Sequence, residues 1–214
     1  GCLMVNGEKQ NSVKRDVILR AARKCFVQHG FHATGMAEIC VAAGMSAGNL
    51  YRYFPNKAAI ITAIADETRN RIMPFYEKLE SYKDPVEGIV QIILHSVSEF
   101  GHESIGRLWV EILGESSRNE EMRKLCIAFD QKLRNSLKKL LRRAVKANRR
   151  LAKMDIEAAS VWLIALLDGA IARVSLEPHV DLPRILSTLA ASIRYLLRMG
   201  TGMEFTPLQS VRAN

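Results

Sequence analysis

Met36-Ala-Glu-Ile-Cys-Val-Ala-Ala-Gly-Met-Ser-Ala-Gly-Asn-Leu-Tyr-Arg-Tyr53 decides the fold of the N-terminal part of this chain. Two short helices crossing at a steep angle need a small residue at their closest approach, a glycine in the turn and apolar residues on the faces that pack. Cys40, Gly44 and the set Ile39, Ala43, Met45 and Leu50 supply these in order, and Ser46 stands where the second helix needs a cap. What is left, Ala47, Gly48, Asn49, Tyr51 and Arg52, faces away from the core, where a reading helix presents its side chains to a major groove. Small residues at 47 and 48 let that helix approach DNA closely. Asn49 suits an adenine edge or a phosphate, and Arg52 a guanine or a phosphate. A plain helical hairpin is the competing reading, but Tyr51, Arg52 and Tyr53 beside a basic preceding segment make an odd surface for one.

Outward from this stretch, apolar residues recur at three- and four-residue spacing almost from end to end, and strand signals are nearly absent. The expected fold is all-α: a three-helix DNA-binding domain with a helix-turn-helix, then a six-helix bundle. The expected domains are residues 1–56 and 57–200, with a mobile tail at 201–214. Ser12 is a candidate cap for a first helix to about Gln28, with Ile18, Ala22, Cys25 and Phe26 facing inward and Gly30 as the stop. Thr34 is expected to open the second helix and Asn56 to cap a fourth, whose path should kink or end at Met73-Pro74. Asp84-Pro85 starts a fifth helix, Ser104 a sixth, Asn119 a long seventh to about Asn148, Asp155 an eighth and Asp181 a ninth ending near Met199.

The net charge of +9 is uneven: Ser12 to Lys57 carries seven basic and two acidic residues, and Lys132 to Lys153 ten basic residues and no acid. A basic N-terminal module points toward phosphate backbones. The second basic run reads as an amphipathic helix, with Leu133, Leu137, Leu140, Leu141, Ala144 and Val145 on one side and a solvated basic face on the other. Non-specific binding of nucleic acid or a membrane surface through this run is the alternative function.

Four scattered cysteines without CxxC pairing fit a reducing compartment. Cys25, His29 and His32 near Cys40 lack the paired spacing of a structural zinc site, so no metal or cofactor is expected. The opening GCLMVNGEKQ has no long apolar region, and no run of about 18 uninterrupted apolar residues occurs, so the expected location is the cytoplasm, away from membranes. HExxH, GxSxG and Walker sequences are absent, and the chain is not expected to be an enzyme.

From about Arg15 to Ile61 the sequence resembles the TetR family of repressors, through Gly30-Phe31, Thr34, Ile39, Ala43-Gly44-Met45-Ser46, Gly48 to Phe54 and Asn56-Lys57. The family pattern has Ala in place of Cys40 and commonly His in place of Tyr53. The resemblance implies nine or ten helices, operator DNA as partner, a small-molecule inducer and dimerisation through the last two long helices. By position it implies phosphate contacts for Thr34, Tyr51, Tyr53 and Lys57. In such a chain Met73, Phe75, Tyr76, His95, Phe100, Trp109, Phe129 and Trp162 are candidate pocket residues, with His95, His102 and Glu111 as possible polar anchors. Leu163, Leu166 and Leu167 of the eighth helix and Leu189, Ile193 and Leu196 of the ninth are the candidate homodimer interface.

Overall fold

Side-chain caps start most of the helices. In the computed structural model, which describes residues 2–101, 103–177 and 179–200, and side chains from Gln10 onward apart from 103 and 104, all regular structure is helical. The order is α1 (Cys2–His29), α2 (Met36–Ala43), α3 (Ala47–Tyr53), α4 (Lys57–Glu80), α5 (Pro85–Phe100), α6 (Glu103–Ser116), α7 (Glu120–Ala147), α8 (Ile156–Leu176) and α9 (Leu182–Met199), with a single 3₁₀ turn at Arg149–Leu151. The Asn56 side chain accepts from the Ala59 N–H at 2.8 Å, Asp84 from Val86 at 2.9 Å, Asn119 from Glu121 at 3.0 Å, Asp155 from Ala158 at 3.0 Å and Asp181 from Arg184 at 3.1 Å. Each bond satisfies a backbone donor that the helix itself leaves unpaired.

Three expectations change. α1 starts at Cys2 and runs through Ser12, which is an exposed mid-helix residue and not a cap; no proline interrupts residues 2–29. Thr34 does not open α2. Its hydroxyl turns inward to the Gly30 carbonyl at 2.7 Å, and α2 starts two residues later, after Gly35, with no side-chain cap. α4 continues through Pro74 to Glu80. The expected tail at 201–214 and His102 lie outside the described residues.

The helices sort into two compact units, and the division does not follow the 56/57 boundary. One unit holds the chain up to Ile72 together with Phe100–Asp130, so α6 and the start of α7 join the first three helices; the other holds Met73–Glu99 and the chain from Gln131. The first unit's core combines Ile18, Ala22 and Phe26 of α1, Ile39 of α2, Leu50 and Phe54 at α3, and Ile60 of α4, none more than 2% exposed. Phe26 and Phe31 pack with their rings tilted by 51° and centroids 5.4 Å apart.

In the second unit Ile89, Ile92 and Ile93 of α5, Leu137, Leu140 and Leu141 of α7, Leu163 of α8 and Ile193 and Leu197 of α9 are fully buried. Gly88 lets α5 in close, since a Cβ there would meet Leu140 at 3.0 Å and the Leu79 carbonyl at 3.1 Å. Glu87 clasps α9: its carboxylate accepts from Arg194 at 2.7 and 2.8 Å and from Arg198 at 3.0 Å, and Arg198 also reaches Asp84 at 2.9 Å. Hydrogen bonds from Arg194 hold the Glu87 carboxyl below its ordinary range, against the opposing effect of burial.

Candidate nucleic-acid interface

The turn between α2 and α3 is built by Gly44, whose φ of +62° suits a residue without Cβ. Its N–H donates to the Val41 carbonyl at 3.1 Å and the next N–H, of Met45, to that of Cys40 at 3.0 Å, which is a Schellman closure. Ser46 then caps α3 through the Asn49 N–H at 3.3 Å. Leu50 and Phe54 anchor α3 in the core, and the opposite side is open: Ala47, Gly48 and Arg52 are exposed, Tyr51 is half exposed and Asn49 sits at the edge. A Cβ on Gly48 would touch nothing within 4 Å. Internal packing therefore gives no reason for a glycine that costs helix stability, and the room it leaves lies outside the protein.

The other expected contacts sit differently. Tyr53 is half-buried and packs on the core, so of the two tyrosines Tyr51 alone stands free on the surface. Thr34 is 1% exposed, with its hydroxyl committed to Gly30. The Lys57 ammonium donates to the carbonyls of Phe31 at 2.6 Å, His32 at 3.2 Å and Thr34 at 3.0 Å, and lies 4.5 Å from the Phe31 ring centroid. An ammonium has three protons, and three carbonyls take them. Burial draws the Lys57 pKa below the ordinary lysine value, with Glu115 and Glu111 opposing it. In this arrangement Lys57 ties α4 to the α1–α2 corner.

One residue was given no role by the sequence reading and another was given a different one. Val41 on α2 is 82% exposed, an apolar side chain open to solvent. Glu111 was expected as a polar anchor for a ligand; its carboxylate instead accepts the Phe31 N–H at 2.6 Å. Arg15 of α1 stacks over Phe54 at 4.6 Å, which holds one cation of the basic first helix beside α3.

The aromatic residues expected to share one pocket fall into two groups. Phe100, Trp109 and Phe129 form a triangle with centroids 5.6 to 6.4 Å apart and line a cavity of about 100 Å³ with Ile61, Ile64 and Ala65 of α4 and Leu108 and Ile112 of α6. Thr68 also lines it, but its hydroxyl donates to the Ile64 carbonyl at 2.9 Å. Tyr76 and His95 belong to the second unit. There the Tyr76 hydroxyl is 2.5 Å from the Ser96 oxygen, and His95 lies against Phe75 with centroids 4.4 Å apart. Met73 is buried and Trp162 half-buried in that unit, and neither lines the cavity.

Of the expected dimer residues, Leu163, Leu167 and Ile193 are buried within the single chain, while Leu166, Leu189 and Leu196 are half-buried. The apolar side chains that α8 and α9 leave most open are Val161 at 51%, Leu176 at 69% and Tyr195 at 60% exposure. α8 is long and apolar enough to span a membrane by length and composition alone, with 44% of its most apolar window buried in the fold.

Part of the basic run is tied down locally. Lys138 and Arg134 pair with Glu157 at 3.1 and 3.4 Å, Lys139 with Glu80 at 2.7 Å, and Arg143 donates to the Glu80 and Tyr82 carbonyls. Its apolar side, Leu133 to Ala144, is buried as expected. Cys25, Cys40 and Cys126 are buried free thiols, and burial followed by Glu38 pushes the Cys25 thiol up, the reverse of a reactive thiolate. Among the described residues no group of three or more His, Cys, Asp or Glu side chains is placed to hold a metal ion.

Comparison with known proteins agrees with this geometry. Residues 18–64 match the family described as bacterial regulatory proteins, tetR family, and residues 85–198 match the BetI-type transcriptional repressor, C-terminal family. The transcriptional regulator UidR of Escherichia coli (strain K12) is 35% identical over 124 residues, which are 56% of this chain and span 60% of UidR. The structure of Salmonella enterica GusR is 30% identical with a TM-score of 0.70, covering 86% of this chain and 95% of that one. Bacillus subtilis FadR, solved in complex with stearoyl-CoA, is 21% identical with a TM-score of 0.72, covering 86% and 97%, and shares the fold. The chain belongs to the tetR family of bacterial regulatory proteins.

Proposed function

We propose that this protein is a cytoplasmic transcriptional repressor that binds a palindromic operator as a homodimer and leaves it when a small molecule enters the C-terminal region. Residues 1–56 read DNA in this account, and residues 57–200 hold the effector and the dimer contact. The observation that carries it is the open face of α3. Gly48, Tyr51 and Arg52 are held on a capped, core-anchored helix, and among the described residues the Tyr51 and Arg52 side chains make no hydrogen bond or ion pair inside the fold. Side chains in that position reach base edges from a major groove.

The effector is assigned to the cavity bounded by Phe100, Trp109 and Phe129. Its lining calls for an uncharged apolar group, and about 100 Å³ suits a small ring or the end of a larger molecule. A long acyl chain such as the one bound to FadR needs a wider space than this. The dimer is assigned to the open side of α8 and α9, around Val161, Leu176 and Tyr195.

Selection from a random duplex library, followed by a salt titration of the winner, tests the reading. An inverted repeat should emerge, with half-site centres about 34 Å or a multiple apart, and its affinity should fall steeply with salt. A library that emerges unenriched overturns the proposal.

A further inference from the structure

Glu111 stands 80 residues from Phe31 in sequence, and its carboxylate accepts the Phe31 N–H at 2.6 Å. Gly30 makes the approach possible: it sits at φ +85°, and a Cβ there would lie 2.7 and 2.8 Å from the two Glu111 oxygens. The same corner is held from α4 by Lys57, which bonds the carbonyls of Phe31, His32 and Thr34. This corner fixes where α2 begins, because the Thr34 N–H and hydroxyl both return to the Gly30 carbonyl, and α2 carries α3 through the Gly44 turn.

Glu111 also belongs to α6, the helix that forms one wall of the cavity. Leu108 and Ile112, three residues before it and one after, line the space enclosed with Ala65, Trp109 and Phe129. On a helix, side chains so spaced move as one body. A hydrogen bond to a carboxylate that is short at 2.6 Å is lost once its atoms separate beyond about 3.5 Å, so a shift of α6 by roughly 1 Å is enough.

We propose that Glu111 is the positioning residue through which filling of the cavity reaches the DNA-reading helices: α6 displaced by an occupant withdraws the carboxylate from Phe31 and frees the α1–α2 corner. The consequence at DNA rests on the regulator reading above. The link from cavity to corner stands without it.

The test uses the full ¹⁵N-labelled chain and the Phe31 amide. Glu111→Ala should speed hydrogen exchange at Phe31 at least tenfold, while Glu111→Gln, whose amide oxygen still accepts, stays within about threefold of the parent. Ala65→Leu puts three carbon atoms into the cavity in place of an effector. It should speed exchange at Phe31 at least tenfold, leave the Phe26 amide unchanged, and add nothing in the Glu111→Ala background. Ile105→Phe fills the same space from α6 and is read in the same way. Exchange at Phe31 that ignores the cavity-filling substitutions, or effects that multiply in the double variant, overturns the proposal. Library selection separates the two readings: a duplex selected while Phe31 stays indifferent sinks the Glu111 link alone, and a responsive Phe31 with no duplex selected sinks the regulator reading alone.

Discussion

The Lys57 ammonium lies 2.6 Å from the carbonyl oxygen of Phe31 and 4.5 Å from the centroid of the same residue's ring. One cation therefore serves both as a hydrogen-bond donor to the α1–α2 corner and as a partner for its aromatic side chain. Lys57→Ala strands three carbonyls and should cost about 1 to 3 kcal/mol of folding stability, read from urea denaturation. Operator affinity should fall for all sequences alike, because the corner is loosened and no base contact is removed. Unchanged stability would return Lys57 to the role of a simple phosphate ligand.

Gly48 separates folding from function. No neighbour lies within 4 Å of a Cβ built there, so Gly48→Ala should raise stability by up to about 1 kcal/mol through helix propensity. The same methyl group should weaken the operator complex, since it fills space left for the groove. A variant that is both more stable and equally tight on DNA would remove α3 from the interface.

Arg52→Ala should cost about 1 to 3 kcal/mol of operator binding and relax preference at one base pair in each half-site. Selection profiles of the parent and the variant, compared position by position, decide this. A loss spread evenly over all positions would make Arg52 a phosphate contact.

The Glu87 clasp sets a response to acid. Its carboxyl is held low in the folded chain by Arg194, so the folded state binds fewer protons than the unfolded one. The stabilisation is fully present above the ordinary glutamate value of about 4.3 and is lost as pH falls through that value toward the lower folded one. Thermal melts between pH 3 and 6 should therefore show a drop for the parent that Glu87→Gln flattens. Parallel curves for the two proteins would show that the clasp carries no linkage.

Val161 is 51% exposed on α8, whereas Leu163 is fully buried in the same helix. Val161→Glu should leave the fold intact and yield monomers in sedimentation velocity runs, with operator binding lost. Leu163→Glu should unfold the second unit, because a carboxylate would enter a dry core. Dimers that survive Val161→Glu would move the interface elsewhere.

Elements and caps were legible because their chemistry is local. Ser46, Asn56, Asp84, Asn119, Asp155 and Asp181 each act within three residues of themselves. The open face of α3 was legible for the same reason, since Leu50 fixes which side of a short helix is buried. The bonds that Lys57 and Glu111 make inside the fold were not legible because their partners come from other elements: the Lys57 carbonyls lie 23 to 26 residues away and the Phe31 amide lies 80 residues from Glu111. Periodicity along one helix also cannot apportion an apolar stripe between its own chain and a second copy. Leu163 and Val161 both lie on the apolar α8, and packing alone sends one inward and leaves the other open.

The aromatic triangle has a photophysical consequence. The chain has two tryptophans: Trp109 in the cavity wall of the first unit, and Trp162 on α8 in the second. Each unit therefore carries its own chromophore. Trp162→Phe would leave a protein whose emission, excited at the red edge where tyrosine is dark, comes from the cavity alone. Its wavelength and lifetime would then follow the polarity around Trp109 directly. The protein becomes an optical gauge for whatever enters that cavity, and compounds can be screened for entry before any operator is known.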